Sequence, residues 1–266
     1  VEESKQVNDS ALQPAGNTGI SFGSSNLDAE DFIPPRVKIV QAMSDERSQG
    51  VEEGSFYNTL TSEDYGPELT FIPISTFKNR ILLVRTERRK EMNKALKTAG
   101  HREIGNDVEG LACRSLDMQH GRGTPGIACS ECPLSQWSGD DGNTPPLCSE
   151  TYNVTAISDA GDLIILGFSK SSAKIGKRMF SMMRLSAGAP WSAQYLATTR
   201  EESGKQGRYF VPIIKKIDAP APEMMKLAEA FASQLAGVTI DVDSREDEAL
   251  PTAPAEGDAV WEDESN

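Results

Sequence analysis

At 266 residues and a formal net charge of −13, the chain is long enough for one sizeable domain or two small ones, and its acidity excludes a simple polycation. No apolar run approaches membrane length and no secretory leader pattern is present, so a membrane span and an oxidising compartment are not expected. The charge is uneven: residues 237–266 carry ten acids and one base, residues 1–31 carry six acids and one base, and the body between them is left at about +1.

Residues 1–31 are rich in Ser, Asn, Gly and Gln, with few branched apolar side chains, which is the composition of a disordered acidic segment. An ordered domain is expected over 32–236. Pro34 and Pro35 disfavour helix at its start, and the alternation that follows through Gln41 reads as a first strand. A polar turn over 44–54 leads to a short strand over 55–60. Residues 69–77 and 80–88 read as a hairpin split at Lys78-Asn79, and residues 88–97 as a short basic helix.

The segment 110–149 holds all the cysteines of the chain, Cys113, Cys129, Cys132 and Cys148, in the spacing C-x15-C-x2-C-x15-C. A C-x-x-C pair presents two thiolates to one ion from a tight turn, and the outer pair completes a tetrahedral S4 set, so a structural Zn2+ is expected. Around the cysteines the sequence is turn chemistry, Gly121-Arg122-Gly123-Thr124-Pro125-Gly126 and Gly139-Asp140-Asp141-Gly142, with little to bury; a metal would replace the missing core. A pair of disulfides, or separate thiols with the C-x-x-C as a redox centre, are the competing readings. His120 is an alternative fourth ligand.

Beyond the cysteines, strands are expected over 150–157 and 162–168, joined by Ser158-Asp159-Ala160-Gly161, so the cysteine loop is an insertion between strands. Residues 169–185 alternate basic and apolar side chains at helical spacing. A second hairpin is expected from 193–200 and 208–217, then a helix over 222–235. Gly237 releases an acidic tail, 237–266, that closes on Trp261, Glu262, Asp263 and Glu264. The expected fold class is mainly β (α+β): an OB-like antiparallel barrel with an inserted zinc-binding loop, one or two helices and disordered acidic termini.

Motifs of catalysis are missing. There is no G-x-x-x-x-G-K-[ST], G-x-S-x-G or H-E-x-x-H, and an all-cysteine ligand set leaves a zinc no open position, so binding rather than an enzyme activity is expected. Single-stranded nucleic acid asks for cations that track phosphates and aromatic rings that stack on bases. Candidate cations are Arg80, Arg85, Arg88, Arg89 and Lys90 along or past one strand, Lys170, Lys174, Lys177 and Arg178 on the basic helix, and Arg208 and Lys215 on the last strand. Candidate rings are Trp191, Tyr195 and Tyr209, with Phe56, Tyr57, Phe77 and Phe210 as further platforms. Of Tyr209 and Phe210, strand alternation sends one inward and one outward.

An OB-like body, a cysteine loop containing Cys129-Ser130-Glu131-Cys132 between strands, and a tail ending on Trp261-Glu262-Asp263-Glu264 together resemble the single-stranded DNA-binding proteins of tailed phages; Pro34-Pro35-Arg36-Val37-Lys38-Ile39 and residues 129–137 are similar to proteins of that kind. The resemblance implies a sequence-independent binder of single-stranded DNA in phage replication or recombination, inside the cytoplasm of a bacterial host. It also implies a tail that recruits replication or recombination enzymes and competes for the DNA groove. The alternative is a zinc-stapled protein-interaction adaptor, such as a phage regulator of host transcription.

Overall fold

A computed structural model of the chain describes residues 34–138, 144–204 and 207–242. Its organising element is one long strand, β4, Glu68–Val84. The preceding strands β1 (Arg36–Ile39), β2 (Phe56–Asn58) and β3 (Asp64–Gly66) are short. The hairpin expected at Lys78-Asn79 does not form. Neither residue takes a left-handed backbone, and both stay in the ladder with β7 (Ser149–Ser158), Lys78 opposite Tyr152 and Asn79 opposite Thr151. The irregularity falls instead between Pro73 and Ser75, where a proline has no N–H to give to the ladder.

The two expected hairpins after the cysteine segment are present. β7 turns into β8 (Leu163–Ser169) through Gly161 at φ 93°, and β9 (Tyr195–Gly204) pairs with β10 (Gly207–Lys216) along its whole length. β4 is shared between them: its first residues, Glu68–Phe71, pair with β9, and Phe71 through Ile81 pair with β7. With β5 (Gly110–Ser115) and β6 (Arg122–Gly123) attached to the far half of β4, the described residues form one ten-stranded sheet.

That sheet is mixed and open rather than an antiparallel closed barrel. β1 lies parallel to β8 and occupies its free edge, so β10 finds no strand there with which to close a ladder. The sheet curls far enough for the two to meet through one side chain. Gln41, just after β1, donates from Nε2 to the Phe210 carbonyl at 3.0 Å and accepts the Phe210 N–H at 2.8 Å, imitating one rung of a ladder.

Strand alternation sorts the side chains. Leu69, Phe71, Val154, Ala156, Ile164, Leu166 and Tyr195 point into the curl, where Phe71 and Tyr195 stack at 5.8 Å. The helix α2 (Ala173–Leu185) seals this interior with Met179 and Met183, and approaches through Gly176, where any Cβ would stand 2.7 Å from Tyr152 Cβ. On the outer face, Ile72, Ile74 and Ile157 receive α3 (Pro222–Leu235) with Ala228 and Trp191. The basic stretch after β4 is the helix α1 (Thr86–Thr98), held by Met92 and Leu96 against Leu82, Val84 and Leu134. No described helix is long and apolar enough to cross a membrane.

Candidate nucleic-acid interface and cysteine flap

The cysteine segment is built on the far half of β4. β5 pairs there with Cys113 opposite Leu82, and β6 folds back onto Cys113 and Arg114. Glycine is required for this return. A Cβ on Gly123, at φ 110°, would lie 2.2 Å from the Ala112 carbonyl oxygen, and one on Gly121 would lie 3.0 Å from Cys113 Sγ.

The Cys129–Cys132 turn is fixed by Ser135, whose hydroxyl donates to the Cys129 carbonyl and, at 2.9 Å, to the Cys132 carbonyl; Gln136 Nε2 adds a bond to Cys129 O at 3.2 Å. The last cysteine joins through its backbone, Cys148 N–H donating to Leu134 O at 2.7 Å.

All four cysteines are free thiols and line one small pocket together with Leu82, Ile127 and Leu134. Backbone N–H groups of Gly126 and Arg114 donate to the sulfur of Cys113, and those of Leu134 and Ser135 to the sulfur of Cys132. The convergence is of four backbone segments around a pocket: among the described residues no three His, Cys, Asp or Glu side chains meet as a closed ligand set. Burial pushes the thiols of Cys113, Cys132 and Cys148 up, and the Arg80 guanidinium opposes this at Cys132 and Cys148. His120 is not among the pocket residues. Its Nδ1 lies 2.6 Å from Asp117 Oδ2, and this bond, with backbone N–H donors, holds the Asp117 carboxyl well below the usual range.

The candidate cations divide by what they hold. Arg80 bolts the cysteine flap to the sheet, donating to the Ser135 carbonyl at 3.1 Å and to Glu150 Oε2 at 3.4 Å. Arg89 donates to the Val108 carbonyl at 2.6 Å, and Arg88 pairs with Glu91 at 3.7 Å. Arg85 caps the start of α1, and Lys90 is exposed on it. Arg208 pairs with Glu53 at 2.8 Å and Glu201 at 3.8 Å, while Lys215 is exposed on β10. Lys174, Lys177 and Arg178 are exposed on α2, and Lys170 lies in the 3-10 turn Lys170–Ser172 just before it.

The candidate rings are taken up by packing. Tyr195 is core, stacked on Phe71; Tyr209 is buried with its hydroxyl donating to Glu202 Oε2 at 3.1 Å; Trp191 packs under α3. Tyr195 and Ala197 share the inner face with Ile214, whereas Tyr209 and Val211, in register with Glu202 and Arg200, lie on the opposite face of the sheet, and Phe210 is the inner member of the Tyr209-Phe210 pair. Burial raises the Tyr195 and Tyr209 phenols accordingly. Among the described residues the large exposed ring is one the sequence reading did not name as a platform, Trp137, 62% exposed on the cysteine flap.

The outer face of the sheet carries one expected platform, Phe77, together with Asn79, Arg36 and Arg114, which the sequence reading did not single out as contacts. Cross-strand register sets Phe77 opposite Asn153, Asn79 opposite Thr151, Arg114 opposite Ile81 and Arg36 opposite Ile165, all on the side away from the interior. Asn153 Nδ2 donates to Asn79 Oδ1 at 2.9 Å, and Asn79 Nδ2 reaches the Val242 carbonyl at 3.4 Å. Asp241 forms an ion pair with Arg114. The chain therefore does not leave the domain at Gly237: the end of the described segment, Asp241 and Val242, lies on this face, with Val242 2% exposed. Trp261, Glu262, Asp263 and Glu264, and all of residues 1–31, lie outside the described residues.

No curated protein and no solved structure matches the chain. A family model does, over residues 3–241, which takes in the cysteine flap, both hairpins and the segment that reaches Asp241. The chain belongs to the Pam3 phage gp34-like protein family and is a phage protein.

Proposed function

We propose that the protein binds single-stranded DNA without sequence preference in phage replication or recombination, inside the bacterial host. The observation that carries this reading is the ion pair of Arg114 with Asp241. The segment leading into the acidic end of the chain is fastened across a sheet face that bears Arg36, Arg114 and Phe77. A polyanion-binding face that is occupied by the root of a −9 segment is the arrangement expected of a tail that competes with nucleic acid.

The strand succession supports the same reading. β4, β7 and β8, then α2, then β9 and β10, with β4 paired to both hairpins, follow the order of an OB fold, with β1 standing where the closing strand would meet β8. In such a fold the outer face of the second and third strands and the loop between the first two strands take up nucleic acid; these are β7, β8 and the cysteine flap. Cys113, Cys129, Cys132 and Cys148 would hold a structural Zn2+, whose chemistry is to fix the flap's shape and not to activate a substrate. Beyond the described residues, the tail end at Trp261-Glu262-Asp263-Glu264 would recruit replication or recombination enzymes.

The test is a gel shift of full-length protein with labelled oligonucleotides of unrelated sequence, single-stranded and duplex. Retention of every single strand in preference to duplex is the expected result. No shift at low salt sinks the reading and leaves a zinc-stapled adaptor as its replacement.

A further inference from the structure

Between α2 and the cysteine flap, two cations pair with one carboxylate and a third stands over the neighbouring tyrosine ring. Glu150, on β7, is bonded by Lys78 Nζ through Oε1 and by Arg80 Nη2 through Oε2 at 3.4 Å, and the neighbouring Tyr152 hydroxyl donates to it as well. Lys78 Nζ sits 4.8 Å from the centre of the Tyr152 ring, and Lys177 Nζ, from α2, sits 5.8 Å from the same centre. Phe180 meets that ring edge-on at 5.3 Å and so fixes it between the two lysines. Lys177 has no ion pair among the described residues, and the Lys78 side chain is one-third exposed at 34%. The site thus holds three positive charges against one negative, open to solvent on the lysine side.

We propose that this cluster is a phosphodiester site for the backbone of a nucleic acid, in which Glu150 is a resident anion that an incoming phosphate displaces from Lys78. The inference rests on the single-strand reading and adds a contact to it. The geometry gives each part a role. Arg80 is tied to the flap through the Ser135 carbonyl, so it is a positioning residue that stays with Glu150. Lys78 and Lys177 carry mobile ammonium groups that can turn toward a phosphate, since an ammonium donates in any direction and a cation–π contact costs little to leave. Glu150, held by Arg80 and Tyr152, is left in place with one cation fewer. Neutralising that carboxylate therefore removes a competitor for Lys78 and strengthens phosphate binding, the opposite of what a carboxylate that merely braces the fold would do.

The experiment measures fluorescence anisotropy of a labelled oligo-thymidylate with full-length wild type, E150Q, K177A and, as a control on α3, K226A, over a range of salt. E150Q is expected to bind about two- to five-fold tighter at low salt, and K177A to bind more weakly with a log–log salt slope shallower by about 0.7. K226A keeps the wild-type slope. Circular dichroism melts accompany each variant, and K177A, which removes only an exposed side chain, carries the test if E150Q does not fold. Unchanged or weaker binding by a folded E150Q, or an unchanged slope for K177A, overturns the phosphodiester site while wild-type binding leaves the single-strand reading standing. No binding by wild type overturns both.

Discussion

Arg114 and Asp241 form an ion pair that ties the start of the acidic tail to the residue next to Cys113, the first cysteine. One strand, β5, therefore serves both the flap and the tail: Cys113 points toward the thiol pocket, and Arg114, its neighbour, points to the opposite face. Loosening the tail is expected to alter nucleic-acid binding directly, without passing through the core of the curled sheet.

Truncation after residue 236 removes Asp241, Val242 and the acidic run beyond them. Single-strand affinity at low salt is expected to rise by about ten-fold or more, and the gap between truncated and full-length protein to narrow as salt screens the tail. D241N, which removes only the pair with Arg114, is expected to show the same sign with a smaller effect. Anisotropy titrations at several salt concentrations check this; equal affinity and slope for the two chains would mean that the tail does not compete.

Metal analysis of protein purified without added zinc is expected to give about one zinc per chain, released when the four thiols are modified. The C129S variant is expected to lose the ion and to melt lower than wild type. The loss of order is expected to centre on Leu134 and the turn around it, because Ser135 and Cys148 fasten that turn through Cys129, Cys132 and Leu134 backbone groups. Hydrogen exchange over residues 110–149 reports it. A chain that contains no zinc and keeps its exchange pattern under chelation would return the cysteines to independent thiols.

Much of the strand plan was legible because alternation is local information. The β7–β8 and β9–β10 hairpins, α2 and α3 all follow from runs of apolar residues broken by Gly, Asn or Pro. Lys78-Asn79 misled because two polar residues in a row resemble a turn; the buried Asn79 instead accepts a hydrogen bond from Asn153 across strands, and a sequence does not show which partner a buried amide will meet. The parallel placement of β1 on β8 was equally hidden, since the paired positions, Arg36 with Ile165 and Val37 with Leu166, are 129 residues apart and nothing local encodes the direction of pairing. The cysteines were legible by spacing. The cations near them were only partly so: Arg80 was read as a surface cation, whereas the carbonyl of Ser135, far along the chain, makes it a bolt.

Gly176→Ala tests the packing of α2 on the strands. The added methyl would stand 2.7 Å from Tyr152 Cβ and 2.8 Å from Phe168 Cβ, positions on β7 and β8 that cannot give way without moving the sheet. Overpacking of this kind costs about 1–3 kcal/mol and outweighs the better helix propensity of alanine, about 1 kcal/mol. The expected outcome is a lower midpoint in urea with an unchanged slope. A variant as stable as wild type would show that α2 can slide, and would remove the fixed spacing between Lys177 and Tyr152 on which the phosphodiester site depends.

The same cluster sets a pH dependence. Burial alone would push the Glu150 carboxyl up; the Lys78 bond, the Tyr152 hydroxyl and the charges of Lys78 and Arg80 outweigh it and leave the group lowered from 4.5. A carboxylate lowered on folding contributes stability that is present in full above its unfolded value and is lost as pH falls through its folded one. The contribution is therefore expected to be complete at neutral pH and to disappear below about pH 4.5. Lys78, Arg80, Tyr152 and Lys177 are the charged or titratable groups around it; burial and the bond to Glu150 push the Tyr152 phenol up to about 12, so it stays neutral. Urea midpoints of wild type and E150Q, measured from neutral pH down to about pH 3, isolate the effect. Wild type is expected to be the more stable of the two at neutral pH, and the difference to close as the acid limit is reached. If the two curves instead stay parallel, Glu150 titrates alike in the folded and unfolded chain, and the ion pairs drawn to it hold no charge that matters to the fold.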